Sequence, residues 1–338
     1  MKMKTGVLLV NLGTPDSYSR KDVKVYLTEF LNDPRVIDIP YILRKILVNG
    51  IIVPFRSGKS AKVYKTIWTD RGSPLMFHSK DLTAMLSESM GDDYEVVLAM
   101  RYRNPSIQTG LDLLRKKQVR RIIVMPLFPQ YASATTGSVH DKVMEIVRKW
   151  QIIPEMTFIN SYCDHHLFID AWMARASEYD VRDYDHVIFS FHGLPERQIR
   201  KGDDTGTCLV GGTCCDVSHG GNQSCYRAQG FRTARAIAAR LGLAPDAFTV
   251  CFQSRLGRDP WVKPYTEDVI KKLASEGKKR VLAFSPAFVS DCLETIEEIA
   301  GEYDEKFRHF GGEKLQLVES LNSHPAWIHA LKEMIQAV

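Results

Sequence analysis

The chain has 338 residues, a length typical of about two domains or of one large α/β unit. Apolar residues make up 44% and charged residues 25%, which excludes intrinsic disorder and a coiled coil as the dominant class. The net charge of +5 is spread along the chain, and its densest basic run, residues 115–121, joins a predicted helix to a predicted strand. This run indicates a solvated face rather than a nucleic-acid-binding surface.

The sequence predicts a cytoplasmic protein. It has no stretch of 18 or more apolar residues, so no segment is expected to span a membrane. The basic start leads into a short apolar run at residues 6–10, and Asn11, Pro15 and Asp16 follow without a small-residue cleavage site, which favours a first strand over a secretion signal. The cysteine count of 7 is odd, and four cysteines crowd into residues 208–225, which is not the pattern of a disulfide framework.

Short apolar runs alternate with helical patterns along the first half of the chain. Candidate strands lie at 6–12, 94–100, 121–127 and 157–160. These runs lack polar alternation, so we expect strands buried on both faces in a parallel sheet covered by helices.

The second half repeats this order. Candidate strands at 186–191, 249–253, 279–286 and 315–318 mirror the four strands of the first half. The predicted fold class is therefore α/β, with two similar Rossmann-like halves at 1–165 and 166–338, parallel sheets and an active-site cleft between the halves. The last helix is able to cross over and pack on the other half.

Two insertions distinguish the halves, one at 16–93 and a Gly- and Cys-rich loop at 200–226. Ligands of open α/β sheets bind beyond the carboxyl ends of the strands, so functional residues are sought there and in the insertions. Glycine-rich nucleotide motifs are absent, which argues against the usual NAD and ATP sites.

His192 is the first candidate for chemistry. It follows an apolar strand, and Gly193 and Pro195 turn the chain directly after it. Imidazole suits proton transfer near neutral pH and binds metals in its neutral form. A histidine that only hydrogen-bonds the turn is an equally good interpretation of this position.

An acidic stripe follows the strand that ends near residue 285. At ~100° per residue of an α-helix, Asp291, Glu294 and Glu298 share one face. Acidic residues also favour helix N-termini and solvated faces. Because the stripe and His192 are expected at the same sheet edge, carboxylate oxygens and an imidazole there resemble a route for a divalent cation.

Four thiols are spaced closely in the glycine-rich loop: Cys208, Cys214, Cys215 and Cys225. This density suits metal ligation, and adjacent cysteines fit an iron–sulfur cluster better than a single tetrahedral zinc ion. Zinc and a metal-free loop stay open as alternatives.

The first insertion is strongly apolar over residues 41–55. A helix packed on the core is one interpretation, and a lip that holds an apolar ligand or touches a membrane surface is the other. Arg56, Lys59 and Lys62 follow and are able to pair with acidic groups of a ligand.

Ten short motifs, in order along the chain, resemble those of the ferrochelatases, which insert ferrous iron into a porphyrin in haem synthesis. They are residues 11–15 (NLGTP), 30–35 (FLNDPR), 72–75 (GSPL), 100–102 (MRY), 126–131 (PLFPQY), 135–138 (TTGS), 190–195 (SFHGLP), 252–255 (FQSR), 260–261 (PW) and 291–295 (DCLET).

The resemblance implies a role for each candidate. His192 matches the active-site histidine and Glu294 the carboxylate facing it, so these two would handle the substrate iron, with Glu298 and Asp291 as the acidic row behind them. The positions that bind or enclose the porphyrin are matched by Arg56, Tyr64, Ser73, Arg101, Tyr102 and Trp261. Residues 41–75 match the porphyrin-entry lip.

Two features depart from the common family pattern. Cys292 stands where many members have histidine, which leaves an iron-binding role at this position unsupported. The cysteine-rich loop resembles the class with an internal 2Fe–2S cluster, which implies that Cys208, Cys214, Cys215 and Cys225 are its ligands.

The resemblance favours protoporphyrin IX as substrate, because a long apolar lip suits vinyl groups. Coproporphyrin III, a non-catalytic porphyrin or haem carrier, and a chelatase that loads cobalt or nickel into another tetrapyrrole are the alternatives. We expect a monomer, with peripheral contact to the inner face of a membrane through the lip.

Overall fold

A computed structural model describes residues 4–208, 212–255, 257 and 259–338, and it contains two four-stranded parallel sheets. The strands of the first sheet are β1 (Thr5–Gly13), β2 (Tyr94–Tyr102), β3 (Arg121–Pro126) and β4 (Glu155–Phe158). Those of the second are β5 (His186–His192), β6 (Phe248–Gln253), β7 (Arg280–Phe284) and β8 (Lys314–Leu317).

The two sheets have the same topology. The first runs in the order β2-β1-β3-β4 and the second in the order β6-β5-β7-β8, so each sheet places its first strand between its second and third. All registered neighbours are parallel. The predicted fold of two similar α/β halves is therefore confirmed, and all eight candidate strands form.

Helices connect the strands. The α-helices are α1 (Arg20–Leu31), α2 (Tyr41–Lys45), α3 (Val53–Ile67), α4 (Pro74–Met90), α5 (Ile107–Lys116), α6 (Ser138–Val147), α7 (His166–Ala176), α8 (Glu196–Lys201), α9 (Tyr226–Arg240), α10 (Thr266–Ser275), α11 (Asp304–His309) and α12 (Pro325–Gln336). Short 3₁₀ turns lie at Val181–Asp183 and Gly220–Asn222.

Within the described residues, three segments are π-helices: π1 (Ile46–Ile52), π2 (Ser133–Gly137) and π3 (Glu294–Tyr303). Helices with i→i+5 hydrogen bonds are rare and frequently occur at functional sites. The sequence predicted an ordinary α-helix for the acidic stripe, and this is corrected: Glu294 and Glu298 lie on π3, and Asp291 lies before it. Glu294 and Glu298 stay near one face, because four residues fall just short of one turn of the wider helix.

The chain divides into two compact units. Unit 1 comprises residues 1–128, 132–160 and 328–338, and unit 2 comprises residues 129–131 and 161–327. Most of α12 thus groups with unit 1, although it follows the last strand of the second sheet.

Each sheet buries aliphatic side chains beneath its helices. In unit 1, Leu8 and Val124 of the sheet pack with Leu111 of α5 and Val143 of α6. In unit 2, Ile188 and Val281 pack with Ile270 of α10 and Ile299 of π3. These cores fix the carboxyl ends of the strands, where His192, Arg101 and Tyr102 lie. No helix in the described part of the chain is long and apolar enough to cross a membrane.

Candidate active site

His192 is the last residue of β5 and is half-buried. Its backbone carbonyl accepts a hydrogen bond from the Tyr226 hydroxyl at 2.9 Å. Its ring stands edge-on to Phe288, with the ring centroids 6.3 Å apart. The imidazole thus lies at the carboxyl edge of the second sheet, as the sequence predicted.

The turn after His192 requires glycine. A Cβ on Gly193 would lie 2.7 Å from the carbonyl oxygen of Gln253 and 3.1 Å from the ring of Trp261. The Gly193 N–H donates to that same carbonyl at 2.8 Å, and Pro195 forms an isolated antiparallel bridge with Trp261. Trp261 therefore packs against the turn that carries His192.

Three donors hold the Glu298 carboxylate. Its Oε2 accepts from Ser254 Oγ at 2.5 Å and from Gln253 Nε2 at 3.0 Å, and its Oε1 accepts from the Tyr303 hydroxyl at 3.2 Å. Burial, with the Glu298 carboxylate as a further cause, raises the pKa of Tyr303, so this phenol stays protonated as a donor. Neutral donors orient Glu298 without cancelling its charge.

Glu294 begins π3 and is half-buried. Its backbone carbonyl accepts from Gln253 Nε2 at 3.1 Å. Burial, followed by the charge of the nearby Glu294 carboxylate, raises the pKa of the buried Cys292 thiol. Cys292 is thus a protonated thiol close to Glu294.

Asp291 is only 6% exposed, and its carboxylate is engaged by neighbours. It accepts from Asn322 Nδ2 at 2.7 Å and from Thr295 Oγ1 at 2.9 Å, and its own N–H donates to Asn322 Oδ1 at 2.9 Å. The Ser320 N–H adds longer contacts of 3.3 and 3.4 Å to the two oxygens. These bonds tie the segment before π3 to the loop that follows β8.

Gln253 links the groups of this site, and the sequence analysis did not single it out. It is 1% exposed, pairs in register with His192, and donates to both Glu294 and Glu298. Its own carbonyl side-chain oxygen accepts from Ser190 Oγ at 3.0 Å. Its position could have revealed it, because Gln253 is the last residue of β6, the strand that pairs with β5.

In unit 1, Arg101 and Tyr102 of β2 converge on a second missed residue, Asp33. Asp33 Oδ2 accepts from Arg101 Nη2 at 2.6 Å, from the Tyr102 hydroxyl at 2.9 Å and from Ser138 Oγ at 2.5 Å. Arg101 Nε also donates to Ser138 Oγ at 2.6 Å. Burial, reinforced by the charge of Asp33, raises the pKa of Tyr102. Two of the three guanidinium nitrogens of Arg101, Nε and Nη2, thus donate to groups inside the protein.

The other porphyrin-binding candidates of unit 1 differ in exposure. Arg56 is exposed on α3, whereas Tyr64 and Ser73 are buried, at 8% and 4% exposure. Tyr64 packs edge-on to Tyr26, and Ser73 Oγ accepts from Thr14 Oγ1 at 2.8 Å. Tyr64 and Ser73 shape the interior near the strand end, and Arg56 faces solvent.

The predicted lip carries an exposed apolar surface. Its most exposed members are Tyr41 (64%), Ile42 (70%), Leu43 (58%), Ile46 (60%), Ile51 (53%) and Phe55 (81%). Contiguous surfaces of this kind mark binding or interaction sites more often than chance. Arg44 is buried and donates to the carbonyls of Ile37 and Ile39, so it fixes the base of this surface.

The four loop cysteines all line one small pocket: Cys208, Cys214, Cys215 and Cys225. The Sγ atoms of Cys214 and Cys215 are 3.9 Å apart. The Cys215 thiol donates to Cys225 and, together with backbone N–H groups at the start of α9, lowers the pKa of Cys225 to about 6. Burial and the neighbouring thiols Cys225 and Cys214 raise the pKa of Cys208 to about 12.

Among the described residues, no three His, Cys, Asp or Glu side chains are grouped so as to hold a single metal ion. Thiols are the preferred ligands of iron–sulfur clusters, and four of them converging on one space fit the donor set of such a group.

Comparison with known proteins places these sites in context. The ferrochelatase family model matches residues 4–338. A ferrochelatase of Legionella pneumophila (strain Paris) is 45% identical over 334 residues, covering 98% of this chain and 99% of the relative. One of Coxiella burnetii (strain Dugway 5J108-111) is 43% identical over 334 residues, covering 98% of this chain and 93% of the relative.

Among solved structures, SirB from Bacillus subtilis with Fe3+ is similar with a TM-score of 0.54 at 10% identity, covering 99% of this chain and 95% of that one. At this identity the likeness concerns the fold alone.

Proposed function

The chain belongs to the ferrochelatase family, whose members insert iron into a porphyrin for haem synthesis, and we propose that His192, Glu294 and Glu298 carry this insertion. The observation that carries the proposal is Gln253, which pairs in register with His192 and donates to the backbone carbonyl of Glu294 and to the carboxylate of Glu298. Gln253 thereby ties the strand end that carries His192 to the start of π3 and to the Glu298 carboxylate within unit 2.

Charge balance assigns the roles. Insertion of Fe²⁺ into a free-base porphyrin releases two pyrrole protons, so the site needs a base and an anionic group that accepts the hard cation. His192 accepts a pyrrole proton. Glu294 takes the iron to the macrocycle and handles the second proton, and Glu298, oriented by neutral donors, holds iron on its way. Asp291 contributes indirectly, because its hydrogen bonds to Asn322 and Thr295 fix the start of π3, which carries Glu294.

Of the porphyrin-binding candidates in unit 1, some are exposed and able to contact the porphyrin, and the others support the site from inside the protein. Exposed Arg56 is available to a porphyrin propionate through a charge-assisted hydrogen bond. Tyr64, Ser73 and Tyr102 are buried and support this side of unit 1 from within, and Asp33 holds Arg101 and Tyr102 in place. In unit 2, Trp261 adds an apolar face beside the His192 turn.

An anaerobic assay with ferrous iron tests this assignment. Its readout is the loss of absorbance from free porphyrin. Glu294→Gln is expected to lower kcat by about 100-fold or more while porphyrin binding survives. Glu302→Gln, on the same helix but paired with Lys306 at the surface, is the matched control and should keep the wild-type rate. Equal rates for the two variants would refute the role of Glu294.

The substrate is protoporphyrin IX in this proposal, because the exposed apolar lip suits vinyl groups better than additional carboxylates. The same assay with coproporphyrin III decides the choice. A higher kcat/KM on coproporphyrin III would overturn it, and tight porphyrin binding without turnover on either would favour a carrier.

The loop cysteines hold a 2Fe–2S cluster in this proposal. Cys208, Cys214, Cys215 and Cys225 supply the four thiolates, and the convergence of their side chains on one pocket supports the assignment. The group would cross-link a loop rich in glycine, which stabilises its fold. Purified protein is expected to contain iron and acid-labile sulfide near two each per chain, about the 2Fe–2S ratio. Colourless protein that carries zinc, or no metal, would refute it.

The protein is a cytoplasmic monomer that touches a membrane surface through its lip in this proposal. Exposed Ile42 and Phe55 support membrane contact. Ile42→Ser with Phe55→Ser is expected to abolish sedimentation with anionic vesicles, whereas Ile152→Ser, an equally exposed apolar residue elsewhere, should not. Light scattering tests the monomer against the chain mass of 38.4 kDa.

A further inference from the structure

Tyr226 occupies a junction between the cysteine-rich loop and His192. It is the first residue of α9, directly after Cys225, which caps that helix. Its side chain is 6% exposed, and its hydroxyl donates to the His192 carbonyl at 2.9 Å. The Tyr226 phenol, next to the cysteine-rich loop, thus binds the backbone of the strand end that carries His192.

The His192 carbonyl needs this donor because no neighbouring strand supplies one. Adjacent residues of a strand direct their backbone groups to opposite sides, and the Gly193 N–H points to Gln253 on β6. The His192 carbonyl therefore points to the β7 side, where the register with β5 ends at Phe189 and Phe284. The Tyr226 hydroxyl occupies the place of the missing strand, and it satisfies a polar group that would otherwise lose its partner.

The loop is clamped to the helix that carries Tyr226. Arg235 Nη1 donates to the carbonyls of Cys215 and Asp216 at 3.0 and 2.6 Å. Gln229 Nε2 donates to the Gln223 carbonyl at 2.7 Å, and Arg232 Nη1 to Gln223 Oε1 at 2.6 Å. These bonds and Cys225 itself fix where α9 begins, and so where the phenol lies.

We propose that Tyr226 is a positioning residue that sets the placement of His192 and makes it depend on how the cysteine-rich loop is fixed to α9. The inference rests on the proposed role of His192 in metal insertion. Tyr226 does not touch the substrate; it acts through the His192 backbone. A loop that loosens by loss of its clamp to α9 releases the phenol and then the imidazole.

Tyr226→Phe tests the positioning role, because it removes one oxygen and leaves the packing of the ring. We expect kcat to fall about tenfold while KM for porphyrin and iron stays within about twofold, since misplacement of a reacting group lowers turnover more than binding. The ¹⁵N-imidazole signals of His192, assigned with His192→Ala, should shift. Tyr179→Phe, which removes a phenol that binds the Glu319 N–H, is the matched control and should change neither.

Iron and sulfide content, measured on every sample, separates an effect on His192 from loss of the loop metal. We expect Tyr226→Phe to keep the wild-type content. Wild-type kcat together with unshifted His192 signals in Tyr226→Phe would overturn the inference. The ¹⁵N-imidazole signals of Tyr226→Phe test the positioning role of Tyr226. The turnover rate of His192→Ala tests the proposed function of His192, so the two claims can fail separately.

Arg235→Gln tests the dependence on the loop. It should shift the His192 signals when Tyr226 is present and cause no further shift in Tyr226→Phe, as coupled residues do in a double-mutant cycle. If Arg235→Gln shifts the His192 signals equally in wild type and in Tyr226→Phe, the effect of the loop does not pass through Tyr226 and the inference is overturned.

Discussion

Replacing Asp33 by asparagine should destabilise unit 1 strongly, although the side chain keeps its size. Asp33 and Arg101 have side-chain exposures of 3% and 14%, so the pair is largely shielded from water. Oδ2 of Asp33 takes three donors, and Oδ1 accepts from the Arg35 N–H at 2.7 Å. An amide has one acceptor oxygen, so the asparagine in Asp33→Asn must turn its NH₂ toward a donor and leave Arg101 without a counter-charge.

The expected loss is about 3 kcal/mol, since a hydrogen bond to a charged group contributes about 1.5–3 kcal/mol and breaking a buried pair costs about 3–5 kcal/mol. The surface pair of Arg35 and Asp141, at 3.2 Å with side-chain exposures of 36% and 56%, provides the matched control. Asp141→Asn should cost less than about 0.5 kcal/mol.

Native-state hydrogen exchange, measured on peptides from β1 and β2, reports the stability of unit 1 separately from unit 2. A loss of about 3 kcal/mol raises the exchange rate of the most protected amides by on the order of 100-fold. An increase in Asp33→Asn no larger than that in Asp141→Asn would refute the reasoning, and would mean that Arg101 is free to bind substrate.

Three further predictions concern single positions. Gly193→Ala should lower kcat at least about tenfold, because its Cβ would meet the Gln253 carbonyl and the Trp261 ring, whereas Gly301→Ala, with ordinary contacts, should keep the rate; equal rates would contradict this. Asp291→Asn should lower the melting temperature but keep kcat per folded enzyme within about threefold, since its carboxylate serves Asn322 and Thr295; wild-type stability with lost turnover would show a direct catalytic role. Burial lowers the pKa of His140 to about 4, so the unfolded chain takes up this proton first, and the stability of unit 1 should fall as pH drops from about 6.5 to about 4. His140→Gln should flatten that decline by about 1–2 kcal/mol, after allowance for solvent screening, and an unchanged slope in urea titrations would contradict the assignment.

The central strands β1, β3, β5 and β7 were predictable because each is a short apolar run that is mostly buried, as Val7–Val10 of β1 illustrates at 0% exposure. The repeated order of these runs predicted two sheets of equal topology. The location of His192 at the carboxyl end of β5 was also predictable, because the apolar pattern and the turn at Gly193 mark where the strand ends.

The π-helices escaped prediction, because the apolar pattern of residues 294–303 does not distinguish i→i+5 from i→i+4 hydrogen bonds. The partners of Asp33 escaped too, since Arg101 and Ser138 are 68 and 105 residues away in sequence. The contact between Asp291 and Asn322 escaped prediction as well, because the two residues are 31 positions apart and no local pattern reveals it.

The most direct test of the central claim compares wild type with His192→Ala in anaerobic single turnovers, with porphyrin binding measured by fluorescence on the same samples. The account predicts that the variant binds porphyrin within about threefold of wild type and inserts iron at least about 1,000-fold more slowly, as loss of a general base requires. Iron insertion by the variant at nearly the wild-type rate would show that His192 does not take the pyrrole proton.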